Sequence, residues 1–131
     1  MDDIENILKE SKIIAVVGIS EKPERPSYRV AEYLQSKGYK IVPVNPKIKE
    51  VLGEKGYPDL KSIPIKVDVV DIFRKSENIP PIVEDAIKIG AKTVWMQEGI
   101  VNEEAAKRAK DAGLKVVMDK CMLKEHKKAA L

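Results

Sequence analysis

The 131-residue sequence contains one cysteine, Cys121, and one histidine, His126. A lone cysteine excludes an internal disulfide and a multi-cysteine metal site. A lone histidine leaves a zinc site or a charge-relay triad short of parts. Aromatic residues make up only 5 %, too few for a platform on which bases stack, and a net charge of +3 does not by itself call for nucleic acid. No apolar run approaches the roughly 20 residues that cross a bilayer, so no membrane partner is expected. The opening stretch MDDIENILKE is acidic where a signal peptide is basic, and the expected location is the cytoplasm. Glutamine is scarce beside abundant lysine and glutamate, a composition that leans toward a thermophilic source.

What is present is a chain of 44 % hydrophobic and 34 % charged residues, the balance of a globular protein with one core, and a single domain over 1–131 is expected. Five short runs rich in β-branched residues, at 13–17, 41–44, 67–73, 93–96 and 114–118, are apolar without strict alternation and predict buried strands. Helix-period segments lie at 27–37, 80–89 and 102–112, with proline or asparagine at the start and glycine just past the end. Helices are also expected at 3–10 and 122–130. The stretch 50–64, EVLGEKGYPDLKSIP, suits a loop with at most one short helix. Strands alternating with helices give an α/β fold: a Rossmann-like three-layer α/β/α arrangement around a five-stranded parallel sheet.

In such sheets ligands bind beyond the carboxyl ends of the strands, where strand order reverses. Polar residues do follow the strands: Gly18-Ile19-Ser20, Asn45-Pro46-Lys47, Arg74, Gln97-Glu98-Gly99 and Asp119-Lys120-Cys121. The first loop, GISEKPERPS, opens like a phosphate loop but lacks the second and third glycines of a dinucleotide fingerprint. Gly18 permits close backbone approach, a helix N-terminus near Ser27 offers N–H groups to an anion, and Lys22, Arg25 and Arg29 add positive charge. Pro23 and Pro26 stiffen the loop. After the second strand, where an NAD site places an acid, stands Lys47. A lysine there favours a phosphorylated ribose, as in NADP or coenzyme A, and the missing glycines disfavour NADP.

Taken together, AVVGISEKPERPSYRV, VPVNPKIKEVLGEKGYPDL, VDVVDIFRKSEN, VWMQEGIVNEEAA and VVMDKCMLKEH resemble the small stand-alone CoA-binding proteins, a family related to the CoA-binding domain of the succinyl-CoA synthetase alpha subunit. The resemblance implies a Rossmann-like sheet that binds coenzyme A or an acyl-CoA, and it implies little about a reaction. The family pattern falls on Gly18, Ser20, Lys22, Arg25, Pro26 and Ser27, on Pro43, Asn45, Pro46 and Lys47, and on Phe73 and Arg74. Ile19 joins them by its place in the loop, and Gln97 as a partner for pantetheine amides. The synthetase's phosphorylated histidine belongs to a separate domain, so ligase activity is not expected of this chain.

Phe73 and Arg74 could flank an adenine or a pantetheine arm, with core packing for Phe73 and pairing of Arg74 with Glu77 as the plainer alternatives. Trp95 reads as core. Cys121 is read as structural, with a mixed disulfide to the CoA thiol as the alternative. His126, among lysines on the last helix, is expected to be solvated. No catalytic set is visible, and the expected function is a carrier or regulator that binds CoA without a reaction of its own. Two other classes stay open: an NADP-binding oxidoreductase, and a homodimeric interaction module with a vestigial nucleotide pocket.

Overall fold

The computed structural model describes residues 2–131. Its elements run α1 (Asp2–Glu10), β1 (Ile13–Val17), α2 (Pro26–Ser36), β2 (Lys40–Val44), β3 (Glu50–Val51), β4 (Glu54–Lys55), β5 (Val69–Ile72), α3 (Ile79–Lys88), β6 (Thr93–Met96), α4 (Glu103–Asp111), β7 (Lys115–Val117) and α5 (Met122–Ala129). Five of the strands form one sheet in the order β2-β1-β5-β6-β7, parallel throughout. The expected Rossmann-like three-layer fold is therefore present.

The near-continuous apolar strands are explained by cover on both faces. Ile14, Val16, Val69, Trp95 and Val117 pack with residues of α1, α2 and α5, while Ala15, Val17, Val70, Ile72, Val94 and Met96 pack with residues of α3 and α4. The helix boundaries follow local chemistry. Pro26 opens α2 in the first turn, where its missing N–H is not needed, and Asn102 caps α4 by accepting from the Ala105 N–H at 2.9 Å. The ladder of β5 covers only the centre of the expected 67–73 run.

The segment expected to be a loop contains a small hairpin. β3 and β4 pair antiparallel around a two-residue turn, Leu52-Gly53, with both residues at positive φ, 55° and 75°. Asn-Gly is the usual signature of that turn, and leucine in the first place hides it. After the hairpin, Tyr57 pairs with the free edge of β2: its N–H donates to the Pro43 carbonyl at 2.9 Å, and its own carbonyl accepts from the Asn45 N–H at 2.9 Å. Pro43 thus sits in an edge strand of the five-stranded sheet, where a missing N–H is tolerated. A single helical turn, Leu60–Ser62, follows, with Asp59 accepting from the Ser62 N–H.

From β1 the chain passes first to β2 on one side and then to β5 on the other. Strand order reverses there, and the crevice beyond the carboxyl ends of β1 and β5 is where such sheets bind ligands. No helix among the described residues is long and apolar enough to cross a membrane.

Candidate functional site

Gly18 leaves β1 at φ 86°, a left-handed conformation that favours glycine. A Cβ added there would lie 2.6 Å from the Phe73 carbonyl oxygen and 3.1 Å from Arg74 Nε. The turn after β1 is thus pressed against the backbone that leaves β5. The Gly18 N–H also donates to the Val44 carbonyl at 2.9 Å, so three strand ends are drawn together at one residue.

The loop beyond is held by its serines. Ser27 Oγ accepts from the Ser20 N–H at 2.9 Å, and Ser20 Oγ accepts from the Lys22 N–H at 3.0 Å. Ser27 is buried while Lys22, Arg25 and Pro26 are exposed. The N-cap of α2 is Arg25, which makes no side-chain cap bond, and the first turn holds no acid. The Ser27 and Tyr28 N–H groups belong to the unsatisfied set of a helix start, and the positive end of the helix faces the loop uncovered. Lys22, Arg25, Arg29, Lys47 and Arg74 form no ion pair among the described residues, although eight other lysines and arginines do. The alternative pairing of Arg74 with Glu77 is not formed.

Asn45 staples the second loop to the first. Its Nδ2 donates to the Ile19 carbonyl at 2.9 Å and its Oδ1 accepts from the Lys47 N–H at 2.9 Å. Pro46 and Arg74 line a cleft of about 170 Å³ with Val44, Pro58, Leu60 and Ile82, and the acids Asp59 and Asp85 line it too. Arg74, together with Phe73, also borders a shallower cleft of about 450 Å³ reaching Ser76 and Gly99. Arg74 is half-buried and stands between the two.

Three expected site residues are committed elsewhere. Ile19 is fully buried and packs with α2 and α5 residues, because the chain dips inward before the serines turn out. Pro43 is buried within β2, one residue short of the strand end. Gln97 is 4 % exposed, and its Oε1 accepts from the Met122 N–H at 3.3 Å, which caps α5. The loops after β1, β2 and β5 therefore meet, whereas the side chains of Ile19 and Pro43 face the core and Gln97 serves the start of α5. Phe73 is half-buried and packs against the α1, α2 and α5 core. Cys121 is half-buried before α5 and packs with the same cluster.

The expectation of a solvated His126 is overturned. It is 4 % exposed, with Nδ1 2.8 Å from Tyr33 Oη, because the last helix folds back onto α1 and α2 and carries the ring into the core. Burial, and then the Lys37 ammonium, hold its pKa below the ordinary imidazole value. Glu98 is paired with Lys124 at 2.9 Å.

Sequence reasoning missed Asp71. It lies in β5 between Val16 and Trp95 on the neighbouring strands, is fully buried, and neither carboxylate oxygen has a hydrogen-bond partner. Burial raises its pKa well above the ordinary carboxylate value. The signal was available, since an acid in the middle of the apolar run VVDIF has no polar face of a buried parallel strand to occupy. Pro58 and Leu60, which wall the smaller cleft, were hidden with the hairpin that carries them there.

A family model described as CoA binding domain matches residues 12–127. The chain is similar to the uncharacterized protein YneT of Bacillus subtilis (strain 168), with 44 % identity over 124 residues, 95 % of this chain and 92 % of that protein. It is also similar to the solved structure of a hypothetical protein from Pyrococcus horikoshii OT3, with a TM-score of 0.96 and 48 % identity over 99 % of this chain and 92 % of that one. An ADP-forming acetate–CoA ligase II of Archaeoglobus fulgidus is 30 % identical over 100 residues, 75 % of this chain but 15 % of the ligase.

Proposed function

The chain belongs to the CoA binding domain family, and on that premise we propose that it binds coenzyme A or a short acyl-CoA across the carboxyl ends of β1, β2 and β5. In this reading it acts as a carrier or regulator and carries out no reaction of its own. The observation that carries the proposal is the uncapped N-terminus of α2, with no acid in its first turn, set behind a glycine at the point where strand order reverses. Backbone N–H groups and the helix dipole favour an anion there, and the pyrophosphate of CoA is the group placed against Ser20 and Ser27. Lys22, Arg25 and Arg74, free of acidic partners, balance its charge, and Lys47 takes the 3′-phosphate.

The cleft walled by Val44, Pro46, Pro58, Leu60 and Ile82, and lined also by Asp59 and Asp85, suits a flat ring that carries donor groups, with the Arg74 guanidinium alongside. The shallower cleft past Phe73 and Ile100 leads away from the pyrophosphate and is the path assigned to the pantetheine arm. The Glu21 and Glu24 side chains stand where a dinucleotide loop keeps glycines for close approach, which sets NADP behind CoA. Isothermal titration with CoA and NADP side by side is the test. Saturable heat with CoA and none with NADP is expected; binding of NADP alone would turn the reading toward an oxidoreductase, and binding of neither would withdraw it.

A further inference from the structure

The smaller cleft holds two acids that no phosphate of a ligand can use. Val17 and Val44, the last residues of β1 and β2, border it, and Ile82 and Asp85 reach it from α3. Asp59 and Arg74 complete the charged part of its lining. Carboxylates repel an anionic group, so acids beside the phosphate stations call for a part of the ligand that donates hydrogen bonds.

The two acids differ in what already occupies them. Asp59 starts the single helical turn Leu60–Ser62, and its Oδ1 accepts from the Ser62 N–H at 2.9 Å. The Asp85 carboxylate accepts no hydrogen bond among the described residues. Its one ion pair there, with Lys61, spans 4.0 Å and is the longest of the eight. The Lys61 side chain is 56 % exposed, so water screens that pair. The Asp85 side chain is only 26 % exposed. Arg74 lines the same cleft, yet no ion pair closes between its guanidinium and Asp85. Opposite charges that share a cleft without meeting can each be satisfied by a group that enters between them.

Adenine presents the matching polarity. On a nucleotide its only N–H donors are those of the exocyclic amine, while its ring nitrogens accept. A carboxylate at the amine and a guanidinium at a ring nitrogen or over the ring face serve both. Hypoxanthine, the same ring with an oxo group in place of the amine, sets an acceptor against the carboxylate. We propose that Asp85 reads the exocyclic amine of the CoA adenine and so sets a preference for adenine over hypoxanthine. This role rests on the base lying in the cleft, as proposed above, and it falls on a residue outside the loops that carry the phosphate stations.

The probe is deamino-CoA, which carries hypoxanthine in place of adenine and is unchanged elsewhere. Both nucleotides are titrated calorimetrically into the full chain, first wild type and then Asp85→Asn. Asparagine keeps the size of the side chain and offers a donor as well as an acceptor, at a position whose carboxylate makes no hydrogen bond in the fold. Wild type is expected to favour CoA by about tenfold or more. Asp85→Asn is expected to lose most of that ratio, with CoA held more weakly and deamino-CoA held no worse. Equal binding of the two nucleotides by wild type overturns the role of Asp85 and leaves the CoA reading intact. The full ratio retained in Asp85→Asn overturns it too, and binding of neither nucleotide by wild type removes the CoA reading along with it.

Discussion

Gly18 meets two demands at once, a left-handed backbone and a gap filled by the Phe73 carbonyl. The glycine was legible in the sequence as the end of an apolar run, but the second demand belongs to tertiary structure, since it depends on β5 lying beside β1. Gly18→Ala is expected to lower the stability to urea by about 1 to 3 kcal/mol from backbone strain and the clash, and to abolish CoA binding measured by calorimetry. Wild-type stability in that variant would show the loop to be adjustable. Arg25 and Lys47 are exposed and form no ion pair among the described residues, so no charge pairing of theirs supports the fold, and the proposed site gives each an anionic group to hold. Each change to alanine is expected to weaken CoA binding by about tenfold and to leave the unfolding midpoint in place; unchanged affinity in both removes the charge placement. Asn45 was read as a ligand residue by its position. Its hydrogen bonds to Ile19 and Lys47 make it a positioning residue that sets one loop against the next.

Element existence could be read from hydrophobic period and punctuation, because buried parallel strands and capped helices leave local marks. All five sheet strands and all five helices fall where those marks stand, with ends displaced by a residue or two where the hydrogen-bond ladder stops before the apolar run does. The β3 and β4 hairpin escaped because a leucine occupies a positive-φ position. That leucine is half-buried, and its carbonyl accepts from Gln35 at 2.9 Å, so tertiary contacts supply what the turn residue does not. Capping was easier to see, and it also has a part in the site. Asn102 caps α4 and donates through Nδ2 to the Ser76 carbonyl at 2.8 Å, tying the start of α4 to the loop that carries Phe73 and Arg74. Asn102→Ala removes both bonds and is expected to cost about 2 kcal/mol, read as a fall of several degrees in Tm with a modest loss of CoA affinity. A Tm within a degree of wild type would mean that water replaces both bonds.

The whole molecule holds a carboxyl group at its centre without a partner. Burial raises the Asp71 pKa, so the folded state keeps a proton that the unfolded chain releases above about pH 4. Stability from this group is complete below the unfolded value and is lost as pH rises through the folded one, at up to about 1.4 kcal/mol per pH unit. Asp71→Asn removes that dependence: the variant is expected to gain on the wild type steadily as pH is raised from about 4, followed by urea unfolding of the buried Trp95. Parallel curves at all pH values would show Asp71 ionised in the folded protein or paired with bound water. A buried acid breaks the apolar pattern of its strand, and no local rule says what surrounds it.

At the same scale, the fold sets a crevice with cationic loops at one end of the sheet and a separate cleft, lined by Lys37, Tyr39 and His126 among others, at the other. The most direct measurement is a map of backbone ¹H and ¹⁵N shifts as CoA is added. The account predicts that Gly18, Ser20, Ser27, Lys47 and Arg74 move together and saturate together while Lys37, Tyr39 and His126 stay in place. Movement confined to the second group, or none at all, would contradict it.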